Sequence, residues 1–395
     1  MSRLFVLLVL LAIVGCTSKD VVEIPTPAIA ESAEPFLFTD EAEQVYLSWV
    51  EKMDTISTLK FSKWNNGSWS APNLIATGNN WFVNWADYPM LAVNKEKFVA
   101  HFLAKSGDGT FAYDVNLTTS NDGITWRKPF VIHDDQKQAE HGFVSLLPYG
   151  DNFLVAWLDG RNTVMEGMEN MDHHDGHHGV MTLRAAVVDP SGNKLNEWEL
   201  DSRTCDCCQT AAALTSTGPV VVYRDRSEQE IRDVSITRFV DGAWTVPQSV
   251  YLDNWKIAGC PVNGPRVDAN GNNLVVAWFT AAGNEPAVRV IFSQDGGASF
   301  GRPVRVDAGN PIGRVDVMLV NDDEAVVSWM EAGSINVMRI NKEGIRSNVK
   351  QIATTSEARS SGFPQMTKLN NQLIFAWTDD QAKIIKSAIL DVDHL

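Results

Sequence analysis

PRVDANGNNLVVAWFTAAGNEPAVRVIFSQDGGASFGRPVRVD, residues 265–307, contains four short runs rich in β-branched and aromatic residues. The runs PRVDA, LVVAW, AVRVIFS and FGRPVRVD are separated by NGNN, a polar loop and DGGAS, all turn-forming compositions. Each run is too short for a helix, and none sustains a 3.6-residue period. The stretch therefore reads as a four-stranded antiparallel meander, with strands A to D. Its second run recurs along the chain as YLSW (46–49), VAHF (99–102), LVAW (154–157), VVVY (220–223), VVAW (275–278), VVSW (326–329) and IFAW (374–377). The final aromatics are 53, 55, 66, 55, 51 and 48 residues apart. Repetition at this period marks a repeat architecture, and four antiparallel strands repeated about an axis make a propeller blade. The expected fold is all-β: a β-propeller of seven four-stranded antiparallel blades, with six left open if one unit stands outside the ring. The seventh unit ends at SAILDVDHL without an outer strand, and the segment near VVEIPTP (21–27) is expected to supply it.

Two of the C-to-D turns carry a further pattern. Ser293-Gln294-Asp295-Gly296-Gly297-Ala298-Ser299-Phe300 resembles the Asp-box of sialidases and related BNR-repeat propellers. Ser120-Asn121-Asp122-Gly123-Ile124-Thr125-Trp126 is a version one residue shorter, and WNNGSW (64–69) and VDGAW (240–244) are degenerate relatives. In such a turn Asp accepts backbone N–H bonds, Gly takes positive φ and the aromatic packs beneath. The resemblance implies a sialidase-like architecture. It implies little about activity, because the family's Asp-boxes lie away from its active site.

The amino terminus, MSRLFVLLVLLAIVGC, has one early Arg and an apolar run of signal-peptide length, too short to span a bilayer. Its ending resembles the lipobox of bacterial lipoproteins. That resemblance implies removal of residues 1–15 as a signal peptide, lipidation of Cys16 and, with Thr17 next, delivery to the outer membrane. Residues 16–34 are then a tether, part of it available to close the last blade, and 35–395 form one propeller domain. A formal charge of −16 argues against nucleic acid as a partner. In an oxidising envelope the cysteines can persist as disulfides.

Strand order sorts the unusual segments by face. In a meander the A–B and C–D turns share one end, while the B–C loops and D-to-A crossings share the other. The Asp-boxes occupy the first end. HDDQKQAEHG (133–142), DSRTCDCCQT (201–210) and NWKIAGCPVNG (254–264) are crossings. DGRNTVMEGMENMDHHDGHHG (159–179) and RDRSEQEIRD (224–233) are B–C loops. All fall on the face opposite the Asp-boxes, where propeller ligand sites form.

Cys205, Cys207, Cys208 and Cys260 are expected to meet there. Three readings stand: two disulfides between neighbouring crossings, a thiolate site for copper or zinc, or a redox dithiol. The last is disfavoured because the spacing, taken as C-x-C-C, is not C-x-x-C. His173, His174, His177 and His178 form a tract whose imidazoles suit copper, zinc or nickel, and His141 is a separate candidate ligand. The alternative for the tract is a polar loop without fixed ligands, and for His141 a structural role. Asp159, Arg161, Tyr223, Arg224, Arg226, Glu228, Glu230 and Arg232 offer either an ion-pair network or a clamp for a carboxylate or other polar ligand.

Sialidases use three arginines, a Tyr/Glu nucleophile pair and an Asp acid. Here no arginine occurs between Arg3 and Arg127, so the family's early arginine motif is missing. The functional expectation is a lipid-anchored propeller presenting a Cys/His-lined site for a transition metal, a small molecule or a glycan. A sialidase-type glycoside hydrolase and a disulfide-stapled scaffold are the alternatives.

Overall fold

The structure is a computed structural model that describes residues 20–164 and 179–395. Seven antiparallel sheets form the seven blades of a β-propeller. Blade one comprises Ser32–Thr39, Val45–Met53, Ile56–Asn65 and Asn73–Gly78. Blade two comprises Leu91–Asn94, Lys97–Lys105, Tyr113–Ser120 and Phe130–Val131, and blade three His141–Tyr149, Asn152–Asp159, Met181–Val188 and Lys194–Thr204. Blade four runs through Ala211–Thr215, Gly218–Arg224, Val234–Val240 and Gln248–Ser249, and blade five through Arg266–Asn270, Asn273–Thr280, Ala287–Ser293 and Val304–Arg305. Blade six contains Pro311–Leu319, Glu324–Glu331, Ser334–Asn341 and Lys350–Thr354. Blade seven contains Gln365–Leu369, Gln372–Asp379 and Ile384–Asp391, and takes its outer strand, Val21–Ile24, from the other end of the chain. The ring is thus closed by hydrogen bonds between distant segments, which completes blade seven with four strands. The first inner strand starts at Ser32.

The recurring aromatic ends the hydrophobic run of strand B. That strand is covered on both faces by neighbouring blades, so its residues read as a continuous apolar run instead of an alternation. Trp49, Trp157, Trp278 and Trp329 are at most 1% exposed, and Tyr223 is fully buried. Truncating such a residue to Ala costs about 3–5 kcal/mol. Each buried indole N–H needs an acceptor. Trp49, Trp157 and Trp329 donate to Glu51, Asp159 and Glu331, each two residues further on, at 2.8, 2.9 and 2.8 Å. The core repeat therefore delivers a carboxylate to the B–C end of the blade.

The Asp-box turns show their expected hydrogen bonds. Asp122 Oδ1 accepts from the N–H groups of Ile124 and Thr125, and Asp295 Oδ1 accepts from that of Ser299. Gly123 has φ +72°, and its N–H bonds Ser120 Oγ while Trp126 packs edge-on against Phe61 and Phe98. Gly297 has φ +83°, and a Cβ there would lie 2.7 Å from Ile236 Cδ1. Phe300 packs against the core shared by blades four and five. Among the described residues, no helix is long and apolar enough to cross a membrane.

Candidate functional site

The crossing from blade three to blade four brings three sulfurs together. The Sγ atoms of Cys205, Cys207 and Cys208 lie within 4.8 Å of one another, and Cys207 is disulfide-bonded to Cys260 from the next crossing. Cys205 and Cys208 are free thiols, both buried, with sulfurs 3.3 Å apart. These two are separated by Asp206 and Cys207, so TCDCC contains a C-x-x-C after all. The three cysteines are not one unit, because Cys207 is taken by Cys260 and leaves Cys205 and Cys208 as the pair.

The B–C loop of blade four supplies the charge around this pair. Arg232 donates through Nη1 to Cys205 Sγ at 3.1 Å. Burial pushes the Cys205 thiol up, but the Cys208 hydrogen bond, the Arg232 charge, the Cys207 N–H and the Arg224 charge outweigh it and bring it down to about 6. Cys208 goes the opposite way: burial, its hydrogen bond with Cys205 and the negative charge on Cys205 hold it well above the ordinary thiol value. The pair is therefore a thiolate accepting a hydrogen bond from a thiol. Arg226 contacts Asp206 at 3.2 Å and Glu230 at 2.8 Å, and Glu230 also holds Arg232 at 2.9 Å.

Two further acids face this centre from blades two and three. Burial raises the Glu140 carboxyl; the Tyr113 hydroxyl, donating at 2.7 Å, opposes this, while the charges of Asp206, Asp87 and Cys205 add to it, and the result is about 8. Asp87 is raised to about 7 by burial, although the Phe143 N–H donates to it at 2.8 Å. That N–H is exposed by a bulge between Gly142 and Ser145, where Phe143 adopts φ +52°. Across the ring's centre, Arg266 bonds Asp316, the Tyr88 hydroxyl and Gln365 at 3.0, 2.7 and 3.1 Å.

The remaining expected residues divide between structure and a second cluster. Arg224 is fully buried and donates to the backbone carbonyls of Arg232, Asn263 and Phe279, so it ties blades four and five together. Tyr223 is buried and donates its hydroxyl to Asp201. Glu228 is exposed at the loop tip. Arg161 forms a two-point pair with Asp159 at 2.8 Å. Arg161 is thus ion-paired within the fold, whereas Arg224 donates to backbone carbonyls. His141 pairs across the sheet with Asp159, and its ring stacks on His133 at 3.6 Å. Asp135 bridges both rings, and Asp114 lies beside them. Asp114, His133 and Asp135 were not singled out from sequence; the signal available was the pattern His-x-Asp followed by a second His within one crossing. Cys16, His173, His174, His177 and His178 lie outside the described residues.

No protein-family model matches the chain, and no curated protein matches it by sequence. Solved structures do match. A lectin from Burkholderia pseudomallei is similar with TM-score 0.63 at 13% identity, over 92% of this chain and 97% of the lectin. An α-L-arabinofuranosidase from Fusarium graminearum gives TM-score 0.51 at 12% identity, over 95% of this chain and 98% of the enzyme. The NanB sialidase of Streptococcus pneumoniae gives 0.46 at 9% identity, over 94% of both chains. At these identities the likeness is one of fold.

Proposed function

We propose that the chain is an envelope lipoprotein, anchored through Cys16 in the outer membrane. Its propeller holds a soft transition-metal ion on Cys205 and Cys208, or a ligand bound through that ion. The observation that carries this reading is the buried pair of sulfurs 3.3 Å apart, with Cys205 ionised against Arg232. Thiolates select soft ions, chiefly copper(I) and zinc. Structural zinc takes four ligands, and the Cys207–Cys260 disulfide leaves two thiols here, which favours copper(I). Two metal–sulfur bonds of about 2.3 Å to one ion set the sulfurs at most about 4.6 Å apart, so the pair, at 3.3 Å, would open by no more than about 1.3 Å to take it up.

A second reading follows from the C-x-x-C spacing. A low thiolate beside a high thiol, in reach of one another, is also a redox dithiol. The hydrolase alternative lacks such support, since no arginine occurs between Arg3 and Arg127 and Tyr223 is fully buried. One experiment separates the readings: thiol mapping by mass spectrometry with elemental analysis, on protein purified without a histidine tag. The metal reading expects an intact Cys207–Cys260 disulfide and one copper ion per chain, lost in Cys205→Ser. A metal-free protein whose Cys205 and Cys208 cycle between thiols and a disulfide supports the dithiol. Free thiols that take up no copper(I) would end the metal reading.

A further inference from the structure

We infer that the Cys207–Cys260 disulfide is exchangeable: Cys205 attacks Cys207 and frees Cys260, and the bond then passes to the buried pair of Cys205 and Cys208. The inference deepens the dithiol reading of this centre and rests on it, and it needs no metal. The Sγ atoms of Cys205, Cys207 and Cys208 lie within 4.8 Å of one another, and those of Cys205 and Cys208 are 3.3 Å apart. Disulfides exchange when a thiolate attacks one sulfur and forms a mixed disulfide. Here the attacking sulfur, the attacked sulfur and the second thiol all lie within residues 205–208. Each step is therefore intramolecular and gains the high effective concentration of reactants held together.

Two observations set this disulfide apart from a structural staple. The first is a gradient of exposure. Cys205 and Cys208 are buried, Cys207 is half-buried and Cys260 is exposed. The bond thus runs from the buried pair to solvent, and attack from the inner side expels the sulfur that water can receive. Exposed disulfides are the labile class. Arg232 Nη1 donates to Cys205 Sγ at 3.1 Å, which marks that sulfur as the bearer of negative charge and hence as the attacking one. The second observation is that the crossing holding Cys260 is anchored without it. On one side the Ile257 N–H donates to the Glu230 carbonyl at 2.9 Å. On the other, Arg224 donates to the Asn263 carbonyl and the Arg314 N–H to Asn263 Oδ1, each at 2.8 Å. A Cβ at Gly259 would meet nothing within 4 Å, so the chain beside Cys260 has room to move. Opening the bond leaves the crossing in place.

The steps balance within the chain. The Cys205 thiolate bonds Cys207 Sγ as the Cys207–Cys260 bond breaks, and Cys260 leaves as a thiolate that takes a proton from water. The Cys208 thiol then gives up its proton, bonds Cys205 Sγ and releases Cys207, which takes that proton. Cys205 and Cys208 are oxidised by one electron pair, and Cys207 and Cys260 are reduced by the same pair. No outside oxidant or reductant is consumed. The exchange moves the oxidised bond from the rim to the interior and presents a free thiol at Cys260. An external thiol or disulfide then meets the centre at Cys260 without entering the buried pair. In that form Cys205 and Cys208 offer no thiolate to an ion, so exchange and metal binding exclude one another.

The test is alkylation of the native, metal-free protein with iodoacetamide and no added reductant, followed by acid quenching and peptide mapping. Trypsin parts Cys260 from the other three cysteines at Arg224 and Lys256. The expected result is progressive alkylation of Cys260 with loss of its link to Cys207. Cys205→Ser should slow this at least about ten-fold, because it removes the attacking sulfur. Cys208→Ser, which blocks only the second step, should accumulate a bond between Cys205 and Cys207. Circular dichroism checks the fold of each variant. A Cys260 that stays unreactive with its link to Cys207 intact overturns the inference, as does alkylation equally fast in a folded Cys205→Ser protein. A mild oxidant separates the exchange from the reading beneath it. A chain that then joins Cys205 to Cys208 while Cys260 stays linked and unreactive upholds the dithiol and overturns the exchange. Failure of the centre to bind copper leaves these outcomes unaffected.

Discussion

Replacing Arg232 with Gln removes the guanidinium that donates to Cys205 Sγ at 3.1 Å, and leaves the burial and the Cys208 contact in place. Glu230, the other partner of Arg232, keeps Arg226 at 2.8 Å, so the loop retains an anchor. A hydrogen bond to a charged group contributes about 1.5–3 kcal/mol, and about 1.4 kcal/mol corresponds to one pH unit. The Cys205 midpoint should therefore rise from about 6 by roughly one to two units. Ultraviolet thiolate absorbance against pH measures it without requiring a reagent to enter the buried site. With Cys207 and Cys260 joined, only Cys205 and Cys208 contribute among the described cysteines. Stability carries the same signature. The thiol titrates at an ordinary 9.0 when unfolded and about 6 when folded, so its ionised form stabilises the native state fully above the unfolded value. That contribution shrinks as pH falls and is gone below about 6. The deficit of Arg232→Gln in urea unfolding should accordingly be largest near pH 9 and narrow toward about pH 5. Arg232→Lys should show a smaller shift. An unchanged midpoint in a natively folded Arg232→Gln protein would refute the assignment of Arg232 as the charge that supports the thiolate.

Asp87→Asn should stabilise the protein at alkaline pH. The buried carboxyl is raised to about 7 from 3.8, so the native state resists its ionisation and loses stability as pH climbs between those values. A neutral Asn, still accepting the Phe143 N–H, should gain roughly 2–4 kcal/mol near pH 8 and little near pH 4 by urea unfolding; an equal effect at both pH values contradicts the burial argument. Trp157→Phe should cost about 1–3 kcal/mol in the same assay, because it empties part of a fully buried site and removes the indole bond to Asp159 at 2.9 Å. A neutral outcome would show that the indole N–H is not needed to position Asp159.

The ring was legible because it rests on local repetition. Strand B is apolar on both faces wherever it occurs, so YLSW, LVAW and VVSW look alike, and the turns that flank them must use Asn, Asp and Gly. Placing the odd segments on one face needed only strand direction. What sequence could not supply was pairing. Cys207 bonds to Cys260, 53 residues away, and only that choice exposes Cys205 and Cys208 as a C-x-x-C pair. The arginines of RDRSEQEIRD look equivalent in sequence, yet Arg224 is spent on backbone carbonyls while Arg232 reaches a sulfur. Asp114 and His133 were hidden for a similar reason: Asp114 lies in a strand of blade two and His133 in the crossing that leaves it, so sequence offered the His-x-Asp pattern of the crossing but not its approach to Asp114.

The acid that follows the strand-B aromatic by two residues shows how chemistry enters such a ring without disturbing it. In blades one and six that acid completes the fold: Glu51 takes the Trp49 indole and the Lys60 ammonium, and Glu331 takes the Trp329 indole and the N–H groups of Ala308 and Asn310. Asp159 in blade three accepts the equivalent indole bond, and a shorter side chain at this position meets different partners. Its oxygens go to Arg161, and His141 stands opposite it across the sheet, 3.7 Å away. The core requirement, an acceptor for a buried indole, is the same in all three blades. The neighbour of that acceptor is free to vary, because it comes from a crossing that carries no part of the repeat. A repeat that must bring carboxylates to one rim for structural reasons thus holds a row of preorganised acids there. The crossings from blade two to three and from three to four place histidines and cysteines on that same rim, beside those acids.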